Sequence, residues 1–176
     1  MIFRACELDG AYVIEHDPKI DERGFFARAF CVDEFNAHGL NPKVAQCNLS
    51  FNRERATLRG MHYQASPHQE AKLVRCIAGQ IYDVIVDLRP RSSTFRKWFG
   101  AELSAENRWM LYVPEGFAHG YLTLTDNAEI FYQVSEFYAP RSERGVRWND
   151  PAFGIRWPLE PRVLSAKDAA LPDFGT

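Results

Sequence analysis

Apolar and polar residues follow each other in short stretches along this chain, and turn residues interrupt them often. The segment KLVRCIAGQIYDVIVDLRP, residues 72–90, holds two apolar runs that Ala78 and Gly79 divide. This arrangement predicts a strand, a turn and a second strand. The second run is rich in β-branched residues, which suit a buried pleated surface.

Strand signals continue towards the C-terminus, and helix signals are few. RWMLYVP (108–114) is an apolar run closed by proline, and GYLTLT (120–125) and AEIFYQVSEFY (128–138) alternate apolar with polar residues. A short helix is predicted over 33–40, with Asp33 as N-cap and Gly39 as stop, and Ser165 is predicted to cap another. Many short strands with few helices predict an all-β fold, a jelly-roll barrel or sandwich.

Composition supports one globular domain spanning residues 1–176. Apolar residues make up 46% of the chain, charged residues 25%, and the formal net charge is −2. This balance gives no reason to expect binding to nucleic acid or to a membrane surface. The N-terminus lacks signal-peptide character, no long apolar run predicts a membrane span, and the four cysteines form no CxxC pair. A cytoplasmic protein with reduced thiols is the resulting expectation.

Two histidines in separate predicted strands are candidates for chemistry: His62 in LRGMHYQ and His119 in PEGFAHG. Side chains from different strands converge inside a barrel, so both could share one cavity. A metal site would need three or four ligands, and His68 and Glu70 are nearby in sequence. Gln64, however, stands where a second histidine would complete a pair, and it is a poor ligand. Metal ligand, proton-transfer base and core histidine all remain open at this point.

Three further residue types could take part in chemistry. Arg59 and Lys72 lie amid apolar residues, and a buried cation needs an anion, such as a ligand phosphate or a developing enolate. Tyr132 is one of several aromatic residues in its strand, so a packing role is its ordinary interpretation. Asp168 could be a first-turn helix residue or the carboxylate that orients a histidine.

Eight segments in order make the chain resemble the dTDP-4-dehydrorhamnose 3,5-epimerases, which have a cupin-like jelly-roll fold. The segments are DERGFF (21–26), LRGMHYQ (58–64), KLVRCIAGQIYDVIVDLR (72–89), LSAENRWMLYVPEGFAHG (103–120), FY (131–132), YAPRSERGVRWND (138–150), FGIRWP (153–158) and LSAKD (164–168). The resemblance implies inversion of carbons 3 and 5 of a nucleotide-linked 4-keto-6-deoxyhexose, without metal or cofactor, by a homodimer.

The resemblance also implies a role for each matching residue. His62 is the base, Asp168 its carboxylate partner, Tyr132 the acid on the opposite face of the sugar ring, and Lys72 the cation beside the ketone oxygen. Neutral imidazole suits a base near pH 7. The implied substrate contacts are Arg23, Gln46, Asn48, Arg59, His119, Glu143 and Lys167, with Tyr138 as a stacking partner for the base of the nucleotide.

Three positions depart from the pattern of this family. Arg28 stands where glutamate is common, Cys47 where aspartate is common, and Gln133 where lysine is frequent. Arg28 reverses a charge that often faces the ligand, which bears on the identity of the nucleotide. The alternatives are a 3-epimerase or 5-epimerase acting on a related sugar, a metal-dependent cupin, and a sugar-binding module without catalysis.

Overall fold

Strands dominate the computed structural model, which describes residues 1–175. The strands are β1 Ile2–Ala5, β2 Tyr12–Glu15, β3 Lys19–Asp21, β4 Gly24–Phe26, β5 Gln46–Asn52, β6 Leu58–Gln64, β7 Lys72–Ala78, β8 Gln80–Asp87, β9 Trp98–Ser104, β10 Met110–Val113, β11 Phe117–Thr123, β12 Ala128–Val134 and β13 Glu143–Gly145. The helices are α1 Val32–Ala37 and α2 Ala166–Ala169. Six strands form one sheet in the order β1-β2-β10-β7-β12-β5, and five form another in the order β13-β6-β11-β8-β9.

The main apolar core lies between the two sheets. It combines Val74 and Ile130 of the six-stranded sheet with Ile85, Leu103 and Phe117 of the five-stranded sheet. The chain passes from one sheet to the other at the turn between β7 and β8, and again between β11 and β12. Antiparallel strands that alternate between two stacked sheets are typical of a jelly roll, so the predicted all-β, cupin-like class is confirmed.

The helices follow the sequence signals in part. Ser165 caps α2 as predicted, since its side chain accepts a hydrogen bond from the amide of Asp168. The N-cap of the first helix lies two residues earlier than predicted, at Cys31 and not at Asp33, and no side chain caps the helix. Asp33 therefore lies in the first turn, where its charge faces the positive end of the helix. Across residues 1–175, no helix is long and apolar enough to cross a membrane.

The N-terminal segment YVIEH (12–16) contains the strand β2, whose two backbone edges are both occupied. In the structure β2 is already paired on both sides, with β1 and with β10. The edges of the six-stranded sheet are β1 and β5, so β2 offers no free backbone to a partner.

β6 and β11 approach each other very closely where Gly60 faces Gly120. A Cβ added to Gly60 would lie 2.5 Å from Cα of Gly120, and one added to Gly120 would lie 2.7 Å from the carbonyl oxygen of Arg59. Gly60 also has φ +131°, which L side chains rarely adopt. The register between these strands shifts just after His119, which pairs with His62. A bulge of this kind changes the direction of side chains, here beside two histidines.

We expect Gly120→Ala to destabilise the protein by roughly 1–3 kcal/mol, because the added methyl group meets backbone that cannot move aside. Urea unfolding of both proteins measures the difference. Gly120→Ser adds a larger group at the same place, so it should lower the free energy of unfolding by at least as much. A loss below about 0.5 kcal/mol for both variants would contradict the close contact.

Candidate active site

Two adjoining cavities, of about 230 and 330 Å³, lie between the sheets and share three residues. The shared residues are His62, Lys72 and Tyr132. The first cavity also includes Gln46, Asn48, Tyr138 and Glu143, and the second includes Arg59, His119, Lys167 and Asp168. All the predicted site residues except Arg23 therefore line one continuous site.

His62 is held by a carboxylate from the C-terminal helix. Its Nε2 lies 2.7 Å from Oδ1 of Asp168, and the other carboxylate oxygen accepts a hydrogen bond from the amide of Gly60. The Asp168 side chain is only 6% exposed, whereas that of His62 is 32% exposed towards the cavity. When Nε2–H donates to Asp168, Nδ1 is left with a free lone pair, which is the form that a base requires.

Burial lowers the pKa of His62 below its ordinary value of 6.5. The charge and hydrogen bond of Asp168 raise the pKa, and the nearby ammonium groups of Lys72 and Lys167 lower it. The effects that lower the pKa outweigh those that raise it, so the imidazole is neutral near pH 7. His62 is therefore in its basic form at the pH of ordinary metabolism.

Lys72 and Tyr132 face the cavity from β7 and β12. Nζ of Lys72 lies 2.7 Å from Oε1 of Glu70, and these two side chains are 11% and 10% exposed. Burial raises the pKa of Tyr132, the charge of Glu70 raises it further, and Arg59 lowers it. The phenol therefore keeps its proton well above pH 7 and can act as an acid.

A second histidine–aspartate pair lies beside the first. Nε2 of His119 is 2.8 Å from Oδ1 of Asp83, a carboxylate on β8 that is fully buried. The other oxygen of Asp83 has no hydrogen-bond partner in the described structure. Asp83 is not among the site residues that the sequence predicts. Its signal is an aspartate inside the apolar run IYDVIVD, because a buried charge needs a partner.

Polar contacts fix the rim of the cavity. Oε1 of Gln46 accepts a hydrogen bond from the amide of Tyr138 at 2.7 Å, and the Tyr138 hydroxyl donates to Glu143 at 2.9 Å. Glu143 also forms an ion pair with Lys167 on α2. These bonds place the exposed ring of Tyr138 at the mouth of the site, where a flat ligand could stack on it.

Gln64 lines the first cavity, and its side-chain amide joins two loops. Its amide nitrogen donates to the carbonyl oxygens of His68 and Phe137, and its Oε1 accepts from the amide of Ala139. Among residues 1–175, no group of three or more His, Cys, Asp or Glu side chains is spaced to hold a metal ion.

Arg23 is the one predicted site residue outside the cavities. It lies in the β3–β4 hairpin, where its side chain is 83% exposed and forms an ion pair with Asp21. Arg28, one of the three departures from the family pattern, forms an ion pair with Glu34 of α1. Cys47 is exposed on β5, between two residues that line the cavity, so it faces the opposite side of the sheet.

Fold and site together define a class: a cupin-like jelly roll whose cavity carries a neutral histidine, a protonated tyrosine and a lysine. The sequence model of the family described as dTDP-4-dehydrorhamnose 3,5-epimerase matches residues 5–176. The dTDP-4-dehydrorhamnose 3,5-epimerase of Shigella flexneri is 45% identical over 159 residues, which cover 89% of this chain and 87% of that protein. The chain belongs to the dTDP-4-dehydrorhamnose 3,5-epimerase family.

Solved structures support this assignment. A dTDP-4-dehydrorhamnose 3,5-epimerase from Elizabethkingia anophelis matches with a TM-score of 0.96 at 41% identity, over 99% of this chain and 96% of that one. A dTDP-6-deoxy-D-glucose-3,5-epimerase from Legionella pneumophila, in complex with dTDP-4-keto-L-rhamnose, matches with a TM-score of 0.90 at 38% identity. This match covers 98% of this chain and 92% of the Legionella chain.

We expect Asp168→Asn to lower kcat/KM by about 10²–10⁴-fold, because the histidine loses the partner that orients it. The acid limb of the pH profile should also move to lower pH, since Asp168 raises the pKa of His62 and its charge is removed. Rates measured between about pH 5 and pH 8 test both effects. Asp33→Asn, an exposed change on α1, is the control, and a shift of the acid limb to higher pH would contradict the assignment.

Proposed function

We propose that this protein inverts carbons 3 and 5 of dTDP-4-dehydro-6-deoxyglucose to give dTDP-4-dehydrorhamnose. The observation that carries the proposal is the placement of acid and base on opposite sheets. His62 belongs to the five-stranded sheet and Tyr132 to the six-stranded sheet, and the cavity lies between them. A sugar ring in that cavity would present one face to each residue, as inversion requires.

The proposed reaction proceeds by the same two proton transfers at each carbon. Nδ1 of His62 removes the proton next to the ketone, and the electron pair moves onto the ketone oxygen as an enolate. The Lys72 ammonium stabilises that oxygen, and Asp168 stabilises the imidazolium that has formed. Tyr132 then donates its proton to the opposite face of the same carbon, which completes the inversion. Exchange with solvent restores His62 and Tyr132.

The rim residues fit a nucleotide as the remote part of the substrate. Tyr138 offers a ring for stacking, and Arg59 and Lys167 offer positive charge to a diphosphate. Nε of Arg59 donates to Asn52 and Nη2 to the carbonyl oxygen of Phe51, so the guanidinium is held in place. Binding energy from these groups would position the sugar between His62 and Tyr132.

Incubation with dTDP-4-dehydro-6-deoxyglucose in deuterium oxide tests the reaction. We expect proton NMR to show deuterium at both C3 and C5. The rate of conversion should fall by about 10²–10⁴-fold in His62→Ala and in Tyr132→Phe. His68→Ala, an exposed histidine on the loop before β7, is the matched control and should keep full activity. Exchange at one carbon only would instead support a 3-epimerase or 5-epimerase.

We propose that the active form is a homodimer, in which the β3–β4 hairpin of one copy reaches the other. Ile20 and Phe26 on this hairpin are 81% and 75% exposed. Leu49 and Phe51 on β5 are 61% and 51% exposed, which leaves apolar surface on the outer side of the six-stranded sheet. Large exposed apolar side chains of this kind indicate an interface. A second copy would also allow Arg23, which lies outside its own cavity, to reach substrate in the cavity of the partner.

Mixing two inactive variants tests this arrangement. We expect light scattering to give the mass of a dimer, and Arg23→Ala and His62→Ala each to lose activity. A mixed dimer would contain one cavity with both native residues, so mixing after subunit exchange should restore up to about a quarter of the activity. No recovery, with exchange verified, would contradict the contribution of Arg23 to the partner's site. Arg53→Ala, which changes an exposed arginine on the loop after β5, serves as the control.

Two further expectations remain proposals. Residues 1–176 act as one domain, because the apolar core joins both sheets and the C-terminal segment supplies Asp168 to the site. Residue 176 itself lies outside the described residues. The cytoplasmic location that the sequence predicts also stays a prediction.

A further inference from the structure

Glu70 is directed into the site by the backbone of the residue that follows it. The amide of Ala71 donates to Oγ of Ser135, and the amide of Ser135 donates to the carbonyl oxygen of Ala71. Ala71 is 3% exposed and packs in the apolar cluster that also contains Leu73. Because side chains alternate along an extended chain, Glu70 and Lys72 both point the other way, into the cavity.

Glu70 is nearly buried, and its main partner is Lys72. The ammonium of Lys72 lies 2.7 Å from Oε1, while Oε2 accepts a weak hydrogen bond from Gln64 at 3.4 Å. Two charges with about a tenth of their side-chain surface exposed are stable only as a pair, since an unpaired buried charge is costly. The position of the Lys72 ammonium therefore depends on the carboxylate of Glu70.

We propose that Glu70 is a positioning residue of this site, which holds the Lys72 ammonium at the cavity wall and stands as the negative neighbour of Tyr132. The proposal rests on the proposed function, in which Lys72 stabilises the enolate and Tyr132 is the acid. Glu70 itself transfers no proton. Its role is to fix where positive charge meets the substrate.

The charge of Glu70 acts on Tyr132 as well as on Lys72. Burial is the largest cause of the raised pKa of Tyr132, the charge of Glu70 adds to it, and the charge of Arg59 opposes it. Loss of the carboxylate should therefore lower the pKa of this tyrosine and make the acid ionise at lower pH. The other charged or titratable groups lining the cavities are His62 and Tyr63 on β6, Lys72 on β7, His119 and Tyr121 on β11, Tyr138 between β12 and β13, Glu143 on β13, and Lys167 and Asp168 on α2.

Two measurements on Glu70→Gln and Glu70→Asp test this role. The first is the absorbance of tyrosinate against pH, recorded without substrate, in each protein with and without Tyr132→Phe. The difference between the members of each pair isolates the ionisation of Tyr132 from that of the other tyrosines. The second measurement is kcat and KM for the conversion of dTDP-4-dehydro-6-deoxyglucose. Glu106→Gln, an exposed glutamate on the turn between β9 and β10, is the matched control.

We expect Glu70→Gln to lower the ionisation midpoint of Tyr132 by roughly half a pH unit or more, because a negative neighbour is lost. We also expect kcat to fall about 10–100-fold with little change in KM, since the ammonium loses its position relative to the enolate oxygen. Glu70→Asp keeps the charge, so it should retain most of the native midpoint and recover part of kcat. Glu106→Gln should match the native protein in both measurements.

An unchanged Tyr132 midpoint in Glu70→Gln, with kcat within about twofold of the native value, would overturn the proposal. Equal losses of kcat in Glu70→Asp and Glu70→Gln, with no change in either midpoint, would also overturn it, because packing alone would explain them. The titration needs no substrate, so it tests the effect of Glu70 on Tyr132 even if the native protein fails to act on the sugar, and an unchanged midpoint would then overturn the proposal. If Glu70→Gln does not fold, a native midpoint and partial kcat in Glu70→Asp support the proposal, and loss of both overturns it.

Discussion

The contact between Gly60 and Gly120 is the constraint on which the site depends. A side chain at either position would collide with the backbone of the other strand, so β6 and β11 lie this close only because both residues are glycine. The pairing places His62 opposite His119, and it leaves the amide of Gly60 free to donate to Asp168. The close contact between these two glycines therefore helps to bring His62, His119 and Asp168 together.

Burial then sets the protonation states that the proposed chemistry needs. Low exposure disfavours charge on both His62 and Tyr132, which leaves the first able to accept a proton and the second able to give one. The charges that remain are arranged around them, with Asp168 at the histidine and Glu70 at the lysine. The interior of the barrel thus holds the proposed base and the proposed acid at different positions, each in its uncharged form.

Much of this site follows from sequence motifs, and the part that does not follow depends on contacts between distant segments. The strands, the Ser165 cap and most cavity residues agree with the expectations from sequence. Asp83 was not predicted because an aspartate in an apolar run indicates a buried charge but does not identify its partner, which is 36 residues away. The position of Arg23 was also not foreseen, since a motif names a substrate contact without saying which cavity, or which copy, it serves.

The sequence by itself determined the strand pattern, the family and the residue types that can exchange a proton, because these depend on local chemistry and short motifs. Only the tertiary structure decided which strand joins which sheet, and so which face of a ligand each residue meets. His62 and Asp168 are separated by 106 residues, yet they share a hydrogen bond of 2.7 Å. Such pairs form through packing of the whole barrel, because strand pairing and burial involve every segment at once.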